Sequence, residues 1–267
     1  MSSDTILFKQ SGSVATITLN RPESRNALTP QMITDLGDAI HSCAAGEIRA
    51  VLLTGAGDAF CAGADLKGLV TRLESDGPQG LSEEIGQVAG TLHERVVLPL
   101  LRLKKPVVGA INGVAAGAGF SLMLACDLRI ASNGARFLMA YGNIGATADG
   151  GSTYLLPRIV GSAKAMELYL ASQPLGAESA LEMGLVTQLC DKEALAQHAL
   201  ETAIRLAQGA TVAYGRVKEL FLNSWSSSVE NQLEAETQAF VDISLTRDLQ
   251  EGVKAFTEKR PPWFQGL

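Results

Sequence analysis

The sequence predicts an α/β fold with a covered, largely parallel sheet and a helical C-terminal region, on three observations. Ala50-Val51-Leu52-Leu53 and Pro106-Val107-Val108-Gly109-Ala110-Ile111 are continuous apolar runs of strand length, the pattern of strands buried on both faces. Stretches of helical period alternate with them. From about residue 160 the chain reads as mainly helical.

In chain order, Ala15-Thr16-Ile17-Thr18-Leu19 alternates apolar and polar residues, as a half-buried strand does. Asn20-Arg21-Pro22-Glu23 breaks it as a turn. Thr29-Pro30 opens a helix, with Thr29 as cap and proline in the first turn. Met32, Ile33, Leu36 and Ile40 form its apolar face. The strand Ala50 to Leu53 ends at Thr54-Gly55-Ala56-Gly57. Ser75-Asp76-Gly77-Pro78-Gln79-Gly80 marks residues 71 to 90 as a mobile loop between short helices. Val96, Leu100 and Leu103 fit a helix that runs up to Pro106 and is kinked at Pro99. Further helices are expected over 163–171, 177–183, 193–208 and 229–245. No internal repeat or low-complexity tract is visible. The division expected is a core over 1–195 and a helical region over 196–267 that packs on the core or on a neighbouring subunit.

The bulk numbers exclude several classes. The chain has 267 residues, 46% hydrophobic and 19% charged, an ordinary globular composition. Its net charge of -6 disfavours nucleic acid or an anionic membrane as main partner. No apolar run approaches the roughly 20 residues of a membrane span. Met1-Ser2-Ser3-Asp4 has no basic flank or apolar core, and Gln265-Gly266-Leu267 is not a peroxisomal address, so a cytoplasmic location is expected. Cys43, Cys61, Cys126 and Cys190 lack the CxxC spacing and read as reduced thiols. Gly117-Ala118-Gly119 invites a dinucleotide-binding reading, but Leu122 stands where the third glycine is required. No phosphate-loop or GxSxG motif occurs. The three histidines, His41, His93 and His198, show no metal spacing.

The chemistry concentrates in two loops that follow the apolar strands, Phe60-Cys61-Ala62-Gly63-Ala64-Asp65-Leu66-Lys67 and Ile111-Asn112-Gly113-Val114-Ala115-Ala116-Gly117-Ala118-Gly119. Residues with almost no side chain put backbone N–H groups in front of a ligand, and two N–H groups aimed at one point stabilise a developing oxyanion. The pair resembles the oxyanion-hole loops of the crotonase family, the enoyl-CoA hydratases and isomerases. Asn20 to Leu28 resembles that family's early loop along the CoA nucleotide. Gly117 to Asp127 resembles its second oxyanion loop, Gly150 to Gly161 its next signature, and Lys259-Arg260-Pro261-Pro262-Trp263-Phe264 its C-terminal tail. Together the matches span roughly residues 5 to 264. The resemblance implies a crotonase-type (ClpP/crotonase) ββα spiral core, assembly into homotrimers or dimers of trimers, and an acyl-CoA thioester as substrate. It implies no cofactor beyond the coenzyme A of that substrate, and no metal. It places the oxyanion hole at the N–H groups of Ala64 and Ala118. It puts Ala27, Ala62, Ala64, Asp65, Leu66 and Ala118 along the CoA, and makes Arg25, Lys67 and Lys259 candidates for its phosphates, the last across a subunit boundary.

The family's hydratases hold the attacking water with two glutamates. The first falls here on Ser121 and the second on Tyr141, which is then expected at the substrate. Serine and tyrosine hydroxyls are poor bases near neutral pH. One carboxylate remains, Asp149 in Ala146-Thr147-Ala148-Asp149-Gly150-Gly151, with Phe120, Ile144 and Leu155 as its expected apolar setting. Acids at this position resemble the catalytic bases of the family's dienoyl-CoA and phenylacetate-pathway ring-epoxide/enoyl-CoA isomerases. The alternative structural role for Asp149 is an N-cap of the helix that follows. The expected activity is an acyl-CoA isomerase, with a hydrolase- or dehalogenase-like reaction involving His93, weak hydration, or acyl-CoA binding without turnover as the alternatives.

Overall fold

The computed structural model describes residues 3–267. The large sheet has the order β1-β2-β3-β5-β7-β10, from β1 (Ile6–Ser11), β2 (Val14–Leu19), β3 (Ala50–Gly55), β5 (Val107–Ile111), β7 (Leu128–Ser132) and β10 (Gln188–Cys190). Only β1 runs antiparallel to its neighbour. A second sheet, β4-β6-β8-β9, is built from β4 (Ala59–Cys61), β6 (Val114–Ala116), β8 (Arg136–Leu138) and β9 (Leu175–Gly176).

The chain therefore repeats one unit: a strand in the large sheet, a short strand in the small sheet, then a helix. Three turns are β3-β4-α2 (Leu66–Leu92), β5-β6-α4 (Ala118–Leu124) and β7-β8-α5 (Ser152–Val160), with a short α3 (Leu98–Arg102) before the second. This is the ββα spiral that the resemblance implies. The repeat is absent from the sequence because each turn preserves only its pattern of burial. Along β3, Val51 and Leu53 join the cluster of Met32, Leu36 and Ile40 from α1 (Pro30–Ser42). Ala50 and Leu52 face Leu195, Ala199 and Ala203 of α8 (Lys192–Ala207). A strand covered on both faces needs no polar residue, which accounts for the continuous apolar run.

The expected boundary at 195/196 falls inside α8, whose apolar face completes the core. The remaining expected helices form α6 (Ser162–Ala171), α7 (Ala177–Glu182) and α10 (Val229–Ser244), joined by two not anticipated, α9 (Thr211–Ser224) and α11 (Arg247–Glu258). Thr29 caps α1, accepting from the Met32 N–H at 3.2 Å. The segment 71–90 is helix, not loop. Gly77 (φ 67°, ψ -167°) kinks α2, and Pro78 follows it. A proline removes one helical N–H and crowds the preceding turn; beside a break at Gly77 both costs are already met. The expected kink near Pro99 is a π-helical turn, His93–Val97, with Pro99 in the first turn of α3 after it.

Candidate active site

The first small-residue loop is held by Asn26. Its buried side chain donates to the carbonyls of Ala59 (2.8 Å), Ala56 (3.0 Å) and Phe60 (3.2 Å), and accepts from the Arg21 N–H at 2.9 Å. Its backbone is left-handed at φ 58°, which asparagine tolerates better than most residues. In the sequence Asn26 is one residue of the early loop, and a side chain that bonds across 33 residues leaves no local signature. Beyond it, Leu28 donates to the Gly63 carbonyl (2.7 Å) and accepts from the Asp65 N–H (3.0 Å). In such a parallel bridge the intervening residue, Ala64, turns its own N–H to the other side. That N–H has no acceptor among the described residues.

The second loop abuts the first. A Cβ on Gly63 would lie 2.8 Å from the Ala116 oxygen, and one on Gly119 would lie 2.2 Å from the Cys61 oxygen. Only glycine permits that approach, and Gly63 at φ 98° also needs it conformationally. Ala118 opens α4, so its N–H belongs to the first turn, where no intrahelical acceptor exists. Two unpaired N–H groups therefore flank the junction of the loops.

Asp149 stands opposite. It shares a cavity of about 160 Å³ with Leu28, Ala64, Leu69, Val88 and Ala89. The cavity's other carboxylates differ in setting. Asp65 pairs with Arg21 at 3.2 Å and caps α2 through the Lys67 N–H at 3.3 Å, while Glu84 lines the cavity from α2. One oxygen of Asp149, Oδ1, takes the Gly150 N–H and the His93 Nε2, each at 2.5 Å. Its backbone oxygen is met by Ser121 Oγ at 2.7 Å, Ser152 Oγ at 2.8 Å and Tyr141 Oη at 3.2 Å. Ser121 and Tyr141 also touch each other at 2.9 Å. Both hydroxyls that stand in for the hydratase glutamates are thus engaged with Asp149. Burial, foremost, pushes the Tyr141 phenol up to about 12, against a lowering by the Ser121 hydrogen bond. It remains a neutral donor at any ordinary pH.

Two expectations are corrected. Asp149 is not the N-cap of α5: that position is Gly151, and no side chain caps it. The apolar setting is only partly as expected. Phe120 and Leu155 are buried, but Ile144 is 58% exposed and the Asp149 side chain 33%. Arg25 and Lys67 are both exposed and lie beside the first loop, where the Arg25 carbonyl accepts from Ala62 at 2.9 Å. Lys259 stands elsewhere, as the left-handed C-cap of α11. Leu66, at the start of α2, is exposed. Ala27 lies between the buried Asn26 and Leu28, and its carbonyl accepts from Arg21 at 2.5 Å. His93 is the residue the sequence underrated: 56 positions separate it from Asp149. A larger cavity of about 660 Å³ opens against α9; Ala64 and Asp149 line the smaller cavity and not this one, and Ala118 lines neither.

Residues 9–266 match the family model for enoyl-CoA hydratase/isomerase. The chain is 38% identical to the 1,2-epoxyphenylacetyl-CoA isomerase of Escherichia coli, over 95% of each chain. It is 40% identical over the full length of both to a Rhodobacter capsulatus protein named "Probable enoyl-CoA hydratase". Among solved structures, an enoyl-CoA hydratase from Polaromonas superposes with a TM-score of 0.89 at 32% identity, covering 97% of this chain and 99% of that one.

Proposed function

The chain belongs to the enoyl-CoA hydratase/isomerase family, and within it we propose an acyl-CoA isomerase that works through a thioester enolate with Asp149 as its single acid and base. The observation that carries this reading is the use of Ser121 and Tyr141. Both hydroxyls are turned onto the Asp149 backbone, so neither position offers a base for water. The relatives bear both isomerase and hydratase names, so the reading rests on these residues.

In this scheme the thioester oxygen sits between the Ala64 and Ala118 N–H groups. Negative charge that develops there is met by dipoles already in place. Asp149 takes a proton from C2 through Oδ2, the oxygen without a hydrogen-bond partner among the described residues, and the electrons move into the enolate. The same carboxylic acid returns the proton at C4, and the double bond ends in conjugation with the thioester. No electrons are gained or lost, so coenzyme A enters only as part of the substrate. Arg25 and Lys67 are its proposed phosphate contacts, with Lys259 from a neighbouring subunit, and Ala27, Ala62, Asp65 and Leu66 its backbone neighbours, with Tyr141 forming part of the wall near the acyl group.

The test is turnover of 3-hexenoyl-CoA beside crotonyl-CoA, followed in the ultraviolet. The expected outcome is conjugated product from the first, with kcat falling about 10²- to 10⁴-fold in Asp149→Asn. Rapid loss of conjugation from crotonyl-CoA would overturn the reading. The His93–Asp149 contact favours one second reading, in which Asp149 attacks an aromatic acyl-CoA and His93 activates water to release it. A mass increase trapped on Asp149 in His93→Gln would select that reading.

A further inference from the structure

We infer that the hydroxyls of Ser121, Tyr141 and Ser152 are positioning groups that set where the Asp149 carboxylate stands; this rests on the isomerase reading above. Asp149 is followed by two consecutive left-handed glycines, Gly150 at φ 62° and Gly151 at φ 80°. Such a pair has no side chain to hold it and little intrinsic stiffness. The turn's own backbone bond onto the Asp149 carbonyl, from the Ser152 N–H, is long at 3.2 Å, and the hydroxyls supply the closer contacts that fix the orientation of the 149–150 peptide.

Donor counting assigns the bonds. A carbonyl oxygen has two lone pairs and each hydroxyl one proton. Four donors face the oxygen; Ser121 Oγ at 2.7 Å and Ser152 Oγ at 2.8 Å are the closest and take the two lone pairs, ahead of the Ser152 N–H at 3.2 Å. Tyr141 is nearer to Ser121 Oγ (2.9 Å) than to the carbonyl (3.2 Å). It donates to Ser121, which in turn donates to Asp149. Ser121 and Ser152 are fully buried and Tyr141 nearly so, so water does not compete for these bonds. At the other end, the Gly150 N–H and His93 Nε2 hold Oδ1. The carbonyl and one carboxylate oxygen are anchored, and Oδ2 is left without a hydrogen-bond partner among the described residues. A base that serves both C2 and C4 has to keep that placement, since an error near 1 Å can cost about 10²-fold.

The measurement uses 3-hexenoyl-CoA carrying deuterium at C2, with kcat, KM and the fraction of label delivered to C4 read together. A well-placed carboxylate passes the deuteron from C2 to C4 before it exchanges with water. A displaced one still reaches C2 but loses the label to solvent. Ser121→Ala is expected to lower kcat roughly 30-fold and Tyr141→Phe or Ser152→Ala roughly 5- to 10-fold. KM should stay within about twofold and label transfer should fall in the same order. Wild-type kcat and label transfer in Tyr141→Phe and Ser152→Ala would overturn the inference, as would losses confined to KM or thermal stability. Asp149→Asn separates the two claims. If it is fully active, the isomerase reading itself falls. If it is inactive while the hydroxyl variants behave as wild type, only the positioning role falls. Should Ser121→Ala not fold, the other two variants decide.

Discussion

At the scale of single residues, the site shows how one position can keep its place and change its work. Ser121 and Tyr141 stand where the resemblance puts two glutamates, yet they bond to each other and to the Asp149 backbone. Ser121→Glu would not restore hydration. The space beyond its Cβ is taken by Tyr141 Oη and the Asp149 carbonyl, and the Gly150 backbone presses on it as well. The expected result is no gain with crotonyl-CoA, a loss of isomerase activity above tenfold, and an overpacking cost of about 1–3 kcal/mol seen in denaturant melts. Buried neutral groups also set an alkaline limit. The Cys43, Cys61 and Cys126 thiols and the Tyr141 phenol are all pushed up to about 12, chiefly by burial. The unfolded chain loses these protons first, near pH 9 to 10, so it binds fewer protons than the folded one between there and 12. Stability is fully present below about 9 and falls as pH rises through that window, by about 1.4 kcal/mol per unit for each group. A melting temperature flat from pH 7 to 9 and dropping above it is expected, with the drop less steep in Tyr141→Phe.

At the scale of elements, the two loops work only because glycine lets their backbones meet. Gly119→Ala drives a methyl group into the Cys61 carbonyl and should part the Ala64 and Ala118 N–H groups. An expected kcat loss of about 10²-fold follows from the disturbed oxyanion hole, beside a stability loss readable by calorimetry. The α2 helix carries the clearest departure from the sequence reading. Ser75 to Gly80 has the composition of a loop, yet the chain resumes its helix after one non-helical residue. Arg72 and Asp76 pair across one turn at 2.7 Å before the break, and α2 packs on α1. Gly80 is the buried residue of that stretch, and Arg72 also donates to the Gly80 carbonyl at 3.4 Å, so local side-chain contacts span the break. Gly77→Ala should cost about 1–3 kcal/mol, since its backbone region is nearly exclusive to glycine. Because α2 walls the cavity, the KM of the acyl-CoA should rise with it.

At the scale of the whole molecule, the C-terminal helices are tied back to the core by a few polar groups. Arg49 donates to the Gly209 carbonyl (2.6 Å), Thr211 Oγ1 (2.9 Å) and the Phe264 carbonyl (3.2 Å). The Asp248 carboxylate, buried, accepts from the Gln265 and Gly266 N–H groups at 2.6 and 2.8 Å. The outward face of these helices is strongly apolar: Phe240 is 69% exposed and Phe256 86%. Exposed apolar area of this kind marks an association surface. We expect light scattering to give a trimer or a dimer of trimers, and Phe240→Asp with Phe256→Asp to shift the mass toward monomer while far-ultraviolet dichroism is retained.

The sequence by itself determined the fold class, the two small-residue loops and the turn that carries Asp149. Each of these is written in contiguous residues: apolar runs, glycine spacing and the Asp-Gly-Gly turn. Only the tertiary structure decided the partners. Asn26 reaches residues 30 to 34 positions away, His93 reaches Asp149 across 56, and Ser121 meets Tyr141 and the 149–152 turn across 20 and 28. Hydrogen bonds between distant residues leave no periodicity to read. They exist because the ββα turns stack, and the stacking brings the ends of separate turns to one side of the loops.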